Sequence, residues 1–295
     1  MHFTTERAQR YLGAHCSVAG GLYMAAKRIT ELQGTALQVF TRNQRQWAVK
    51  PLKDSEVEEF RRAWDSWGEY PVLAHDSYLI NLASPEAGLR HKSIQAFARE
   101  IERCARLGLT RLVTHPGSCK SQSRKQGLQT YVQALDQAVA AATDNDPQSA
   151  RIQILLETTS GQGTALGGDF RELAAIIESS SFADRLGVCL DTCHIFAAGY
   201  ELRSRQDYEQ TIRTLDSTVG LERLGALHLN DSKHPLGSRL DRHEHIGHGQ
   251  LGLEPFRSIL NDPRLLNVPM VLETPKDKAG EWDRQNLAVL RDMVT

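Results

Sequence analysis

Residues 241–249 form a short polar segment, DRHEHIGHG, with three histidines, two acids and two glycines. This composition is too polar for a protein core and too rich in histidine for an ordinary loop. Imidazole and carboxylate groups, without clustered thiolates, are the ligands typical of zinc, manganese or iron. Because side chains two residues apart point the same way in an extended chain, Asp241 and His243 are candidates to bind one metal ion together.

Further histidines and carboxylates stand at the ends of eight short apolar runs that recur along the chain. One run ends in Thr41, before the sequence RNQRQW, and the other seven end in a residue type that can bind a metal ion. These seven are His15, His75, His115, Glu157, Asp191, His228 and Glu273. Chance does not easily produce this pattern, so we interpret these run ends as parts of one site. His194, three residues after Asp191, is a further candidate ligand.

The apolar runs have the length of β-strands and alternate with longer segments of helical spacing, such as SIQAFAREIERCARLG. This alternation indicates a parallel sheet, and strands that are apolar on both faces indicate helices on its surface. Eight such units in 295 residues predict an α/β fold, a TIM (β/α)8 barrel forming a single domain over residues 1–295, with residues 1–10 as an N-terminal extension. A doubly wound open sheet is the alternative. In a barrel, the carboxyl ends of the strands meet at one mouth, where active sites are built.

The mouth of the predicted barrel collects nine candidate metal ligands, five histidines and four carboxylates. They are His75, His115, Glu157, Asp191, His194, His228, Asp241, His243 and Glu273. One metal ion takes about four ligands, so nine imply two or three ions that share bridging carboxylates. Four carboxylates alone would repel one another, whereas three divalent ions would make the pocket positive and attract an anion such as phosphate. Two ions about 3.5–4 Å apart can activate water and stabilise the leaving oxygen of a phosphodiester.

Composition limits the other classes of function. The net charge is −1 and 24% of the residues are charged, so the chain lacks the overall basic excess of many nucleic-acid-binding proteins. Binding to DNA would therefore need a local positive field, which bound metal can supply. No run of about 18 apolar residues indicates a membrane span, and the first residues lack the apolar segment of a signal peptide. Five cysteines without a CxxC motif favour a reduced, cytoplasmic protein.

Several motifs give the chain a family resemblance that runs nearly from end to end. They are GAHCSVAGGL, QVFTRNQRQW, HDSYLINL, LVTHPGS, GVCLDTCHIFAAGY, HLNDSK, GSRLDRHEHIG and VLETPK. With these motifs the chain resembles the endonuclease IV family of zinc-dependent apurinic/apyrimidinic (AP) endonucleases. That family has the same eight-stranded barrel, and all nine of its zinc-ligand positions are filled here by the expected residue types.

The resemblance implies three zinc ions per chain, with Mn²⁺ as an alternative at one site. The first ion is implied to bind His75, His115 and Glu157. Glu157 bridges to the second ion, which Asp191, His228 and Glu273 complete. The third ion is implied to bind His194, Asp241 and His243.

The same resemblance implies a class II AP endonuclease of base excision repair, with Glu157 and Glu273 as catalytic residues. Zinc-activated hydroxide attacks the phosphodiester 5′ to an abasic site in duplex DNA and leaves a 3′-hydroxyl and a 5′-deoxyribose phosphate. The family also trims blocked 3′ ends through 3′-phosphodiesterase and 3′-phosphatase activity. We expect a monomer in the bacterial cytosol whose partner is damaged double-stranded DNA, with no membrane association.

Recognition of the lesion is implied to depend on two loops. By motif, Arg45, Tyr78 and Leu79 enter the DNA, while Gln44, Gln46 and Trp47 line the contact with the groove. Apolar wedges unstack bases at a cost of a few kcal/mol, which is least where a base is already missing. There are two alternatives. The segment around Arg45 could be an ordinary solvated loop, and Tyr78 and Leu79 could only cap the barrel.

Two other functions are compatible with a metal-bearing barrel. A sugar isomerase or epimerase needs only one or two metal ions, so the set His194, Asp241 and His243 and the NQRQW and SYL loops would have no role. A protein that binds lesions without cleaving them would not need a water-activating metal cluster. The complete ligand set therefore favours the nuclease.

Overall fold

Eight parallel strands close into a barrel in the computed structural model, which describes residues 10–277 and 280–295. The barrel strands are β1 (Leu12–His15), β2 (Ala36–Phe40), β3 (Val72–His75), β4 (Arg111–Thr114), β5 (Gln153–Glu157), β6 (Leu186–Asp191), β7 (Leu224–His228) and β10 (Met270–Leu272). Each strand pairs with the next along the chain, and β1 closes the barrel against β10. The predicted TIM barrel is confirmed, and the alternative of an open sheet is wrong. The N-terminal extension expected at residues 1–10 lies outside the described residues apart from Arg10.

Helices follow the strands and cover the outside of the barrel. They are α1 (Tyr23–Glu31), α2 (Asp54–Trp67), α3 (Ala87–Leu107), α4 (Arg124–Asn145), α5 (Phe170–Ser179), α6 (Thr192–Ala198), α7 (Arg205–Thr218), α8 (Glu254–Leu260) and α9 (Glu281–Asp292). Local sequence sets several of their ends. Ser123 caps α4 by accepting a hydrogen bond from the backbone N–H of Gln126, and Gly108 ends α3 in the left-handed conformation with φ 82°.

The core has two parts, one inside the barrel and one between the strands and the helices. The interior layer takes one residue from each of seven strands, namely Ala36, Leu73, Val113, Leu155, Cys189, Ala226 and Val271. The outer part packs strand residues such as Leu37 against helix residues such as Phe97 and Ile101. Because apolar side chains fill both faces of the strands, the polar residues at the strand ends are held at the mouth by a rigid, close-packed support. Within the described residues, no helix has the length and apolar character needed to span a bilayer.

The loop after β7 is the longest irregular connection in the barrel mouth. It runs from residue 229 to residue 253 and contains a short antiparallel pair of strands, β8 (Asp231–Ser232) and β9 (His243–Glu244). The pairing of β8 with β9 gives order to the DRHEHIGHG segment at the barrel mouth.

Gly13 of β1 lies close against β2, which leads to a prediction about stability. A Cβ atom at Gly13 would lie 1.6 Å from the backbone oxygen of Ala36 on β2, so Gly13→Ala must push the strands apart. We expect the free energy of unfolding to fall by about 3 kcal/mol, the upper end for overpacking, as measured by urea denaturation. Gly88→Ala in α3 is the control. Its Cβ would have no neighbour nearer than 3.9 Å, and we expect stability equal to wild type or up to about 1 kcal/mol higher. Equal stability of Gly13→Ala and wild type would contradict this account.

Candidate metal centre

Glu157, at the end of β5, is a fully buried carboxylate surrounded by four imidazole rings. Its Oε2 lies 3.0 Å from His75 Nε2 and 3.4 Å from His115 Nε2. Its Oε1 lies 2.9 Å from His228 Nδ1 and 3.3 Å from His194 Nδ1. Since these rings come from the ends of β3, β4 and β7 and from the start of α6, the barrel itself brings them together around one acid.

The pKa values of this cluster show how strongly it favours positive charge around its acids. Burial raises the pKa of Glu157, but the neighbouring imidazoles outweigh it and hold that pKa well below its usual value. Burial lowers the pKa of His75, yet Glu157 raises it to about 9. The pKa values of His194 and His228 also rise well above normal, because Asp191 and Asp241 outweigh burial at His194, and Cys189, Glu273 and Glu157 outweigh it at His228. The mouth therefore has the electrostatics of a cation-binding site.

Asp191, which is buried, and Glu273, which is partly buried, complete the acidic part of the site. Asp191 ends β6 and caps α6, where its Oδ1 accepts the backbone N–H of His194 at 2.8 Å. Glu273 directly follows β10, and its Oε2 lies 3.2 Å from His228 Nδ1. Burial acts to raise the pKa of Glu273, whereas His228 and His15 hold it well below its usual value. Both acids therefore present oxygen ligands to the region around His228.

His194, Asp241 and His243 form a second cluster at the edge of the first. His194 Nε2 lies 3.1 Å from Asp241 Oδ1 and 3.3 Å from His243 Nε2, and His243 Nε2 lies 3.5 Å from Asp241 Oδ1. Two ligands of a tetrahedral zinc ion with bonds of about 2.0–2.1 Å lie about 3.3 Å apart. The three donor atoms thus have the spacing of a zinc site. Asp241 and His243 do point the same way, as expected for residues two apart in extended chain.

The imidazole rings are oriented by hydrogen bonds on their far sides. The Nδ1–H groups of His75, His194 and His243 face the backbone oxygens of Asp76, Thr158 and Glu273 at 2.9, 2.8 and 3.1 Å. Each ring thereby directs Nε2 at the clustered acids. Metal-binding histidines usually donate one ring N–H to a carbonyl oxygen and keep the lone pair of the other nitrogen free for the metal.

Among the described residues, the possible metal ligands fall into overlapping groups whose donor atoms all lie within 4.8 Å of one another. Three groups are His75–His115–Glu157, Glu157–Asp191–His228–Glu273 and His194–Asp241–His243. They coincide with the three sets that the family resemblance implies, and Glu157 is shared between two of them. The donor types, spacing and ring orientation all fit divalent metal ions.

A fourth group contains Cys193 with Asp191 and His243. The Cys193 thiol is buried and donates to the backbone oxygen of Arg242 at 3.6 Å. Burial raises the pKa of this thiol to about 12, so the thiolate form that binds metal is disfavoured. We therefore interpret Cys193 as a packing residue.

Sequence analysis missed two amides that support the acids. Gln38, fully buried on β2, donates from Nε2 to Glu273 Oε1 at 2.6 Å and accepts from His228 Nε2 at 2.8 Å. Asn230 donates to Asp191 Oδ2 at 2.6 Å and accepts the backbone N–H of Glu273 at 2.9 Å. The one available signal for Gln38 is a polar residue inside an otherwise apolar strand.

His15, at the end of β1, takes part in the same network without joining any of the ligand groups. Its Nδ1 lies 3.1 Å from Glu273 Oε1 and 3.1 Å from Gln38 Nε2. Burial lowers the pKa of His15 despite the nearby acid. His15 therefore supports the carboxylate of Glu273.

The two loops expected to contact DNA stand together above the cluster. Tyr78, which is 66% exposed, lies with its ring 6.0 Å from His75 and 6.4 Å from His115. Ser77 donates a hydrogen bond to the backbone oxygen of Gln44 at 2.8 Å, which joins the loop after β3 to the loop after β2. Leu79 is half-buried.

The loop after β2 is anchored to α3 through a buried ion pair. Arg42 contacts Glu100 and also donates to the backbone oxygen of Gln46 at 2.9 Å. Arg45 and Gln46 are exposed, whereas Trp47 is half-buried against the core. The structure thus holds Arg45 outward on a fixed loop and gives Trp47 a packing contact.

Two grooves flank Tyr78 at the mouth. One, of about 580 Å³, is lined by Gln44, Arg45, Tyr78 and Lys276 among others. The second, of about 440 Å³, runs past Tyr78, Leu79, Lys120 and Asp241. Candidate ligands line both grooves: His243 and Glu273 line the first, and His115, His194 and Asp241 line the second.

Known proteins share this fold and much of this sequence. A family model described as xylose isomerase-like TIM barrel matches residues 26–293. The chain is 48% identical over 283 residues to a probable endonuclease 4 from Trichlorobacter lovleyi, which covers 96% of this chain and 99% of the relative. It is also similar to the crystal structure of endonuclease IV from Thermus thermophilus, with a TM-score of 0.83, 36% identity and coverage of 96% of this chain and 98% of that one.

A D-tagatose 3-epimerase-like protein has a TM-score of 0.69 at 19% identity, with coverage of 97% of this chain and 100% of that one. At this identity the likeness shows the fold alone. Two full-length matches above 30% identity carry the names endonuclease 4 and endonuclease IV, and this chain belongs to the endonuclease IV family of AP endonucleases.

Proposed function

We propose that this protein is a class II AP endonuclease that cleaves duplex DNA 5′ to abasic sites and leaves a 3′-hydroxyl and a 5′-deoxyribose phosphate. Trimming of blocked 3′ ends, by 3′-phosphodiesterase and 3′-phosphatase activity, is part of the proposal. The observation that carries it is the convergence of three ligand groups on one mouth, two of them sharing the buried Glu157.

Three zinc ions per chain are the proposed cofactors, with Mn²⁺ as an alternative at one site. His75, His115 and Glu157 would hold the first, and Glu157 with Asp191, His228 and Glu273 the second. His194, Asp241 and His243 would hold the third. Three observations support this assignment. Histidine Nδ1–H groups contact backbone carbonyls, and the donor atoms of the third set lie 3.1–3.5 Å apart. The cluster also strongly favours positive charge around Glu157.

Glu157 and Glu273 are the proposed catalytic residues. Bound zinc would supply hydroxide at neutral pH and stabilise the charge that develops on the leaving 3′ oxygen. Glu157 holds two ligand groups at a fixed separation, since both its oxygens are engaged by imidazoles. Glu273 is partly open to the groove that contains Arg45, and its other contacts to Gln38 and His15 keep its carboxylate oriented.

Lesion recognition would come from the wedge above the site. Tyr78 and Leu79 would enter the base stack with Arg45, while Gln44, Gln46 and Trp47 would support the contact with the groove. The exposure of Tyr78 and its position between two grooves favour this role over a simple cap. Buried polar atoms of His15, Arg42 and Gln44, which line one groove, have no partner within the described residues, as suits a polar ligand there.

We further propose a single domain over residues 1–295, a monomeric enzyme and action in the bacterial cytosol. All five cysteines are free and buried, which suits a reducing compartment. The competing sugar epimerase function shares the barrel, but it leaves the set His194, Asp241 and His243 and the exposed Tyr78 without a role.

The first test is metal content and incision measured on one preparation. We expect about three zinc ions per chain by elemental analysis, and incision of a duplex with one abasic analogue without added magnesium. Removal of metal with a chelator should lower the melting temperature, and zinc should restore it, because ligands stabilise the state that binds them. About one metal ion per chain with no incision would instead favour the epimerase.

Glu157→Gln tests the shared carboxylate. We expect incision to fall by at least about 100-fold, since even outer partners of metal ligands give 10- to 100-fold effects. Binding to abasic DNA should stay within a few-fold of wild type, because the wedge residues are unchanged. Glu59→Gln, exposed on α2, is the control and should leave both unchanged. Wild-type incision by Glu157→Gln would refute the role given to Glu157.

Tyr78→Ala tests the wedge separately from the metal site. Stacking of an aromatic side chain with a base contributes about 1–3 kcal/mol, so we expect affinity for abasic duplex to fall by about 10-fold or more. Zinc content should not change. Tyr78→Phe keeps the ring and should bind nearly as wild type. Leu253→Ala, which removes a 44% exposed side chain outside both grooves, is the second control. Equal binding by Tyr78→Ala and wild type would remove Tyr78 from the recognition surface.

A further inference from the structure

The loop after β7 carries two proposed metal ligands, yet it is not a barrel strand. His243 lies in the short strand β9, and the side chain of Asp241 is 45% exposed. The other seven ligands stand at strand ends or on the first turn of α6. Something other than the barrel wall must therefore hold the segment that carries Asp241 and His243.

Asp231, on β8, is the buried residue around which this segment folds. Its side chain is fully buried, and its two oxygens each accept two backbone hydrogen bonds. Oδ1 accepts from Ser232 at 2.7 Å and from Leu251 at 2.9 Å. Oδ2 accepts from Gly247 and from Gly249, both at 3.0 Å. One carboxylate thus ties β8 to the chain that follows β9.

The backbone pairing ties this carboxylate directly to the ligands. Asp231 is paired with Glu244, and Ser232 with His243, in the antiparallel register of β8 and β9. The next residue, Lys233, donates its backbone N–H to the oxygen of Arg242 at 3.0 Å. The residues immediately around His243 are therefore held by β8, and the chain that follows is held by the Asp231 side chain.

Gly249 shows how closely the chain approaches that side chain. A Cβ atom there would lie 2.4 Å from Asp231 Oδ1 and 2.4 Å from the backbone oxygen of Ser232. Burial raises the pKa of Asp231, and the four donated hydrogen bonds oppose that rise. A buried acid is costly in an apolar setting, so the arrangement is maintained by its full set of donors.

We propose that Asp231 is a positioning residue for the third metal site, and that it acts by anchoring the segment that carries Asp241 and His243. This inference rests on the proposed three-metal function. Asp231 touches none of the three ligands of that site with its side chain, and its effect passes through the backbone of residues 243–251. The first two sites depend on the barrel wall and should not need it.

Asp231→Asn is the decisive variant. An amide presents N–H groups to two of the four backbone N–H donors, so two hydrogen bonds are lost while size is retained. We expect zinc at the third site to bind about 10- to 100-fold more weakly, in the range of outer partners of metal ligands, with the other two ions retained. Zinc titration against a competing chelator measures this, and the absorption spectrum of the Co²⁺-loaded protein should lose the contribution of one site.

Asp262→Asn is the matched control. Asp262 is equally a buried carboxylate with several donors, including the Tyr208 hydroxyl at 2.7 Å, but it lies ahead of β10 at the other end of the barrel. We expect this variant to lower the melting temperature and to keep three zinc ions. The proposal would be overturned if Asp231→Asn kept wild-type zinc affinity at all three sites. It would also be overturned if the variant lost zinc affinity equally at all three.

Amide hydrogen exchange can show whether this inference fails or the proposed function fails. In wild type the N–H groups of Gly247, Gly249 and Leu251 should be protected, and Asp231→Asn should remove that protection in the Gly pair or in Leu251. Fewer than three zinc ions in wild type would contradict the proposed function, whereas loss of protection in the variant would still show that Asp231 anchors the segment. Unchanged protection in the variant would contradict the anchor alone. If Asp231→Asn does not fold, Gly249→Ala tests the same contact, since its Cβ must displace the carboxylate.

Discussion

The buried carboxylate of Glu157 is the constraint on which the mouth of this barrel depends. A fully buried acid is costly unless positive charge or donors surround it, and here four imidazoles meet its two oxygens. Those rings come from different parts of the barrel, so the cluster exists only when the whole barrel is closed. The preference for positive charge that lowers the pKa of Glu157 is the same property that suits divalent metal.

Around this centre the chain uses two kinds of support. His75, Asp191 and His228 stand at strand ends, where the close-packed barrel wall limits their movement. Asp241 and His243 stand on a long loop, which gains comparable order from the β8–β9 pair and from the Asp231 carboxylate. The loop position leaves Asp241 partly exposed beside the groove, where a substrate can reach it.

The fold alone does not distinguish a nuclease from a sugar epimerase, since proteins of both kinds share this barrel. Under the proposed function, the difference lies in what is added to the mouth. The proposed additions are the candidate set His194, Asp241 and His243 and the joined loops that hold Arg45 and Tyr78 outward. Both additions are on βα loops, which is where this architecture varies without disturbing its core.

The sequence by itself determined the barrel and the types of ligand, because strand–helix alternation and polar residues at strand ends are local patterns that a parallel barrel brings to one mouth. Even the pairing of Asp241 with His243 followed from their spacing. Only the tertiary structure decided which nitrogen of each ring faces the acids and which residues support them. Gln38 reaches His228 across 190 residues, and Asp231 holds glycines 16 and 18 residues away. Such partners are set by packing between distant segments, so no local pattern reveals them.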